Sequence, residues 1–149
     1  SIIAEGRFWI CDWTVKADPD AVFMPERLQL HLKQAFPGGT TESFYVKNCP
    51  KSFGLMGSLE VFSKAAVATF GRHRNMCRAR FHPESSGEDG YMQSCMDGSG
   101  VAAKEDFSLL VDGYCNKGTC SGNGWNVAFH PYKDSKEWFA CWEQVVAAR

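Results

Sequence analysis

The sequence predicts an α+β fold, an antiparallel sheet with packed helices held by disulfides, and three observations carry that expectation. Two segments with helical spacing of apolar residues bracket a middle of short alternating runs separated by Gly, Asp and Asn. Seven cysteines are scattered about one per segment, with no C-x-x-C pair, the distribution of a disulfide framework rather than of a metal site. Hydrophobic residues make up 44% and aromatics 13% of 149 residues, enough for a packed core in a single domain spanning 1–149.

Taken in order, "RFWICDWT" puts Trp9, Cys11, Trp13 and Val15 on one face and Phe8, Ile10 and Asp12 on the other. Residues 8–15 are therefore expected to form a strand covered on both sides. "DPDAVFMPERLQLHLKQAFPGG" carries a helix, with Pro25 in its first turn, Glu26 at the positive end of its dipole and Pro37-Gly38-Gly39 as its stop. Leu28, Leu32, Ala35 and Phe36 form its buried stripe. "ESFYVKN" reads as a strand with Phe44 and Val46 sharing a face. "SLEVFSKAAVATFG" has helical spacing at Leu59, Phe62, Ala66 and Phe70, with Gly71 suited to C′, but its β-branched Val61, Val67 and Thr69 make a strand the rival.

"MCRARFH" alternates, with Cys77, Ala79 and Phe81 expected inward and Arg78, Arg80 and His82 outward. "HPESSGEDG" reads as a turn or mobile loop, and "GYMQSCM", "DFSLLVDGY" and "WNVAFHPY" as strands. "DSKEWFACWEQVVAAR" is the clearest helix. Asp134 and Glu137 have capping-box spacing, and Trp138, Cys141, Trp142 and Val145 mark its buried face.

A cysteine on the inner face of the first strand and one on the last helix make Cys11 and Cys141 natural partners. Their bridge would close almost the whole chain into one loop, worth roughly 4–5 kcal/mol in the chain-entropy model. Cys115 and Cys120 are expected to meet across the tight turn of "CNKGTC". Cys77 and Cys95 complete the six cysteines assigned to bridges; an odd count leaves one thiol over, and the spacing does not say which. This usage places the protein in an oxidising, extracellular compartment, and a first residue of Ser rather than Met agrees with processing.

A net charge of −1 gives no bulk electrostatic case for nucleic acid or an anionic membrane, and no apolar run reaches the roughly 18 residues of a span. No G-x-S-x-G elbow is present, and His31, His73, His82 and His130 lack metal-ligand spacing, so neither a metal nor a cofactor is expected. The basic run "GRHRNMCRAR" reads as a solvated strand face balanced by Glu84, Glu88 and Asp89. Its Arg72, Arg74, Arg78 and Arg80 are the residues that would meet phosphate or an acidic partner. Trp9, Trp13, Trp138 and Trp142 are read as core. Glu60, then Arg78 or Arg80, then His130 follow the chain order of base, phosphate ligand and acid in guanyl-specific ribonucleases.

A mid-sized chain with scattered cysteines, "CNKGTC" as a C-x4-C pair and no catalytic signature resembles the Leptosphaeria avirulence-suppressing effectors, whose relatives include proteins of the tomato leaf-mould fungus. "FWIC" and the helix after it are similar instead to the ribonuclease-like effectors of cereal powdery mildews. The length and the 83–104 region suit the first family better. That resemblance implies a layered helix-and-sheet fold and a non-enzymatic virulence or avirulence protein in the plant apoplast or delivered into host cells. Its implied partner is a host plant protein or immune receptor, bound as a monomer through the arginines or loops such as 83–90 and 116–124. A secreted ribonuclease, active or silent, and a protease inhibitor presenting "CNKGTC" are the alternatives.

Overall fold

Strand pairing begins later than the N-terminal alternation predicts. In a computed structural model, which describes residues 2–38, 41–51, 54–122 and 125–148, the chain opens with a short helix α1 (Ile2–Glu5) and a 3-10 turn (Arg7–Ile10). Gly6, at φ +66°, makes the reversal between them, a conformation that glycine adopts without strain. The turn lets Phe8 alone bury, while Trp9 and Ile10 are 59% and 85% exposed. Extended chain starts only at β1 (Trp13–Ala17), so the strand expected over 8–15 is corrected to 13–17.

Two sheets follow. In the first, β4 (Leu59–Ser63) lies antiparallel between β1 and β3 (Phe44–Lys47), and β5 (Ala102–Glu105) adds parallel to β3. In the second, β7 (Ala128–His130) is antiparallel to β2 (Val22–Phe23) and parallel to β6 (Leu110–Asp112). The fold is α+β with antiparallel pairing, as expected; one parallel pair in each sheet makes both mixed.

The helices show where sequence pattern decides and where it misleads. In α2 (Pro25–Ala35) Leu28 and Leu32 are buried and Phe36 packs beside them, whereas Ala35 is exposed. "SLEVFSKAAVATFG" divides: β4 ends at Ser63, whose hydroxyl accepts from Ala66 N at 3.1 Å and caps α3 (Lys64–Arg80). The helix takes in residues 76–80 of "MCRARFH", which is therefore not a strand. α4 (Pro83–Gly98) takes in both the expected loop "HPESSGEDG" and the expected strand "GYMQSCM", with a break at Gly87 (φ +73°). Pro83 at its first turn is the start signal. In α5 (Ser135–Ala147) the Asp134 carboxylate accepts from Lys136 N and Glu137 N as the capping pattern predicts. Cys141 and Val145 are buried, but Trp142 turns outward and is 41% exposed. Gly39, Asn123, Gly124 and Arg149, each within an expected stop, loop or helix, lie outside the described residues.

Three cores hold the layers. Leu59 and Val61 of β4 face a cluster with Leu28 and Leu32 of α2 and Leu110 and Ala128 of the second sheet. The opposite face of the first sheet, with Tyr45 and Phe62, packs on Ala66 and Val67 of α3 and Met96 of α4. Val22, Val111 and Phe129 of the second sheet pack on Cys141 and Val145 of α5. Arg27, buried in α2, donates to Asn126 O at 3.0 Å and to Val145 O at 2.7 Å, tying α2 to the last turn of α5.

The disulfides join Cys49 to Cys115, Cys77 to Cys95 and Cys120 to Cys141. The expected Cys11–Cys141 and Cys115–Cys120 bridges are both corrected. Cys11 follows the 3-10 turn and faces solvent. The "CNKGTC" cysteines diverge because each is buried in a different direction, one toward the segment after β3 and the other toward α5. Among the described residues no helix is long and apolar enough to cross a membrane.

Candidate functional site

The first half of α3 is apolar enough to lie on the sheet. Beyond Phe70 its residues are mostly polar, and Arg72, Arg74, Arg78 and Arg80 are all exposed. They stand on a helix, not on the strand face expected. Arg72 donates from Nη2 to Thr69 Oγ1 at 2.9 Å, and the Arg80 guanidinium lies over the Phe81 ring at 5.6 Å. Arg74 and Arg78, one helical turn apart, border a groove of about 480 Å3 whose apolar walls are Ile3, Phe70, Phe81 and Tyr91. His82, at the N-cap of α4, adds an imidazole to its rim.

Neither the Arg74 nor the Arg78 guanidinium has a hydrogen bond or an ion pair among the described residues. Two of the carboxylates expected to balance the arginines are engaged elsewhere. Glu88 pairs with Lys16 at 2.8 Å, and Asp89 accepts from Gly57 N and Gly90 N. Like charges at i, i+4 repel by a few tenths of a kcal/mol. The groove thus carries positive charge that the fold does not neutralise.

A second constellation surrounds His130. Its Nδ1 lies 2.7 Å from Asp112 Oδ2, its Nε2 lies 3.6 Å from Asp20 Oδ1, and one ligand atom each of Asp18, Asp20 and His130 fall within 4.8 Å of one another. Burial would raise the pKa of Asp112, but hydrogen bonds from His130, Tyr114 N and Cys115 N outweigh it and hold the carboxyl low. Two carboxylates and an imidazole backed by a third carboxylate are donors that a divalent cation uses. Here the Lys16 ammonium sits 2.9 Å from Asp18 and occupies it in an ion pair, so the cluster reads as an ion-pair network.

Glu60 is 2% exposed in the middle of β4, opposite Lys16 in the strand register. Its carboxyl is pushed up to about 7, first by burial and then by the nearby charge of Glu88, against the pull of Lys16. Glu60 and His130 do not touch: Lys16 and Asp18 stand between them, and Arg78 and Arg80 are on α3. The four histidines do not converge either. His31 is buried between Asp106 and Trp125 O, and His73 bonds Thr69 O at 3.0 Å.

No family model matches this chain, and no curated protein matches it.

Of the tryptophans read as core, Trp13 packs against Phe36 and Phe44, and half-buried Trp138 donates from Nε1 to Ala21 O at 3.2 Å; Trp9 and Trp142 lie outside. The arginine groove is the surface with the most unspent chemistry: two guanidiniums able to grip carboxylate or phosphate in bidentate fashion beside aromatic walls. Sequence reasoning named the arginines but missed Phe70, Phe81, His82 and Tyr91. The signal was the four-residue spacing of Arg74, Arg78 and His82, which marks a helical face; the stronger two-residue alternation of "MCRARFH" concealed it.

Proposed function

We propose that this chain is a non-enzymatic secreted effector of a plant-pathogenic fungus that binds an acidic surface of a host protein through the Arg74–Arg78 groove. The observation that carries this reading is the pair of unpartnered arginines on an aromatic-lined groove. Arginine and aromatic side chains dominate interface energetics, and guanidiniums left without an internal partner give up hydration but no protein hydrogen bond when a partner's carboxylates approach. The three disulfides support an oxidising compartment, where bridges persist. They also hold the groove in shape before binding, since the Cys77–Cys95 bridge ties α3 to α4 beside it.

The test is to infiltrate the oxidised protein into leaves of a responding plant line and compare it with a double Arg74→Glu, Arg78→Glu variant. The variant is expected to melt at the wild-type temperature and to need roughly tenfold or more protein for the same response. An unchanged response overturns the assignment. Degradation of RNA by the purified protein, abolished in His130→Ala, would replace it with a ribonuclease.

A protease inhibitor is the second reading, supported by residues 116–119. This exposed loop is anchored at one end by Cys115–Cys49 and at the other by Cys120–Cys141, with Lys117 near its tip. A loop braced on both sides is pre-organised for a protease cleft. Titration against trypsin-like and papain-like proteases decides it: nanomolar inhibition lost in Lys117→Ala supports the reading, and its absence removes it.

A further inference from the structure

The face of the first sheet turned toward α3 and α4 contains a second, smaller cavity of about 240 Å3, distinct in chemistry from the arginine groove. Ile3, Phe62, Val67, Phe70, Met92 and Met96 give it an apolar lining. Into this lining the alternation of β4 places Glu60, whose Oε1 is buried and has no hydrogen-bond partner among the described residues.

The reason is a count of donors. Among the described residues the cation at hand is the Lys16 ammonium, which has three N–H groups. One goes to Gly57 O at 2.8 Å, one to Glu88 Oε2 at 2.8 Å and one to Asp18 Oδ1 at 2.9 Å. Glu60 Oε1 is left 3.7 Å from that nitrogen, close enough to feel its charge and too far for a hydrogen bond. A buried acceptor without a donor is costly, and native proteins keep few of them. Asp18 and Glu88 share the one ammonium, and the charges of Asp18, Glu88 and Asp89 all bear on Glu60, so the field at the mouth favours an added cation and opposes an anion.

We propose that this cavity is a binding site for a small primary ammonium with an apolar tail, the ammonium donating to Glu60 Oε1 and the tail lying among Phe62, Val67 and the two methionines. The volume lies just below the range that holds drug-sized ligands, so the occupant is a fragment-sized amine. Methionines suit such a site because their unbranched side chains adapt to the shape of the tail. A ligand ammonium supplies the donor that Lys16 has spent. The inference stands independently of the arginine groove, which calls for ligand charge of the opposite sign.

The experiment titrates the full oxidised chain with n-hexylammonium, 1-hexanol and hexanoate, by calorimetry and by methyl NMR. Saturable one-site binding of n-hexylammonium is expected, with intermolecular NOEs to the Met92 and Met96 methyls. 1-Hexanol should bind roughly 10- to 100-fold more weakly and hexanoate not at all, because a charged hydrogen bond is worth about that factor. Glu60→Gln should weaken n-hexylammonium to a similar degree. Equal affinity for amine and alcohol, NOEs elsewhere, undiminished binding by Glu60→Gln, or no saturable binding would each overturn the proposal. The three-ligand comparison in the wild-type protein keeps the test decisive even if the variant folds poorly.

Discussion

Asp106 and Glu60 are both carboxylates withdrawn from water, at 13% and 2% exposure, yet the fold treats them in opposite ways. Asp106, just after β5, receives His31 Nδ1 at 2.9 Å, Ser108 N at 3.0 Å and Ser108 Oγ at 2.5 Å. His31 faces a second acceptor, Trp125 O at 2.8 Å, so its ring satisfies both oxygens only when both nitrogens carry protons. Burial would raise the Asp106 pKa, but the donors from His31 and Ser108 outweigh it and hold the carboxyl below its ordinary value. At Glu60 burial wins, because the donors of its neighbour Lys16 are committed elsewhere. Depth of burial therefore does not set the sign of the shift; the supply of donors does.

The largest expected effect comes from removing the unsatisfied charge. Glu60 titrates near 7 in the folded protein against 4.5 as its ordinary value. The folded state thus holds this proton more tightly than the unfolded chain. Its penalty grows as pH rises from about 4.5 and is complete above about 7. Glu60→Gln should therefore stabilise the protein by about 3 kcal/mol at pH 8 and by little at pH 4. Urea denaturation of both proteins at the two pH values measures this. A Glu60→Gln variant less stable than wild type at pH 8 would mean that the carboxylate has a donor after all.

Asp106→Asn probes the satisfied partner of the comparison and should act in the other direction. A depressed carboxyl contributes stability above its unfolded pKa of about 3.9, and that stability is lost as pH falls through the lower folded value. The variant should cost about 2 kcal/mol at pH 7, the worth of charged hydrogen bonds to His31 and Ser108, with the gap closing below about pH 4. Urea midpoints from pH 3 to 7 test the slope. A gap that widened on acidification would break the contrast with Glu60.

The contrast also separates what the sequence shows from what it hides. α2 and α5 are legible because their ends carry Pro25 and Asp134 and their buried stripes repeat at helical spacing. The stretch from 64 to 98 is not, because its signals conflict. "MCRARFH" alternates like a strand although its arginines are good helix formers, and the small polar residues of "ESSGEDG" obscure the helix that Pro83 begins. β5 gives no alternation to read: Ala102 and Ala103 are both exposed at a sheet edge. Of the candidate site, the arginines were visible and the walls of their groove were not, since Ile3, Phe81 and Tyr91 reach it from three different helical or loop segments. Glu60 was named from its place in a ribonuclease-like chain order, but its lack of a donor depends on where Gly57, Asp18 and Glu88 converge on Lys16. No local pattern encodes that.

The same question of partner supply governs the sulfur chemistry, and there the predicted effect on stability is smallest. Six cysteines have a geometric partner, and Cys11 has none because the chain around it turns outward with Trp9 and Ile10. An aromatic disulfide reagent should titrate one thiol per chain in the native protein and still only one in concentrated urea, since unfolding exposes no further free thiol. Cys11→Ser should reduce the count to zero and change the unfolding free energy by no more than about 0.5 kcal/mol, the usual range for a surface position. A loss of several kcal/mol would instead mean that Cys11 is a bridge partner, returning the N-terminal segment to the disulfide framework from which its exposed position now separates it.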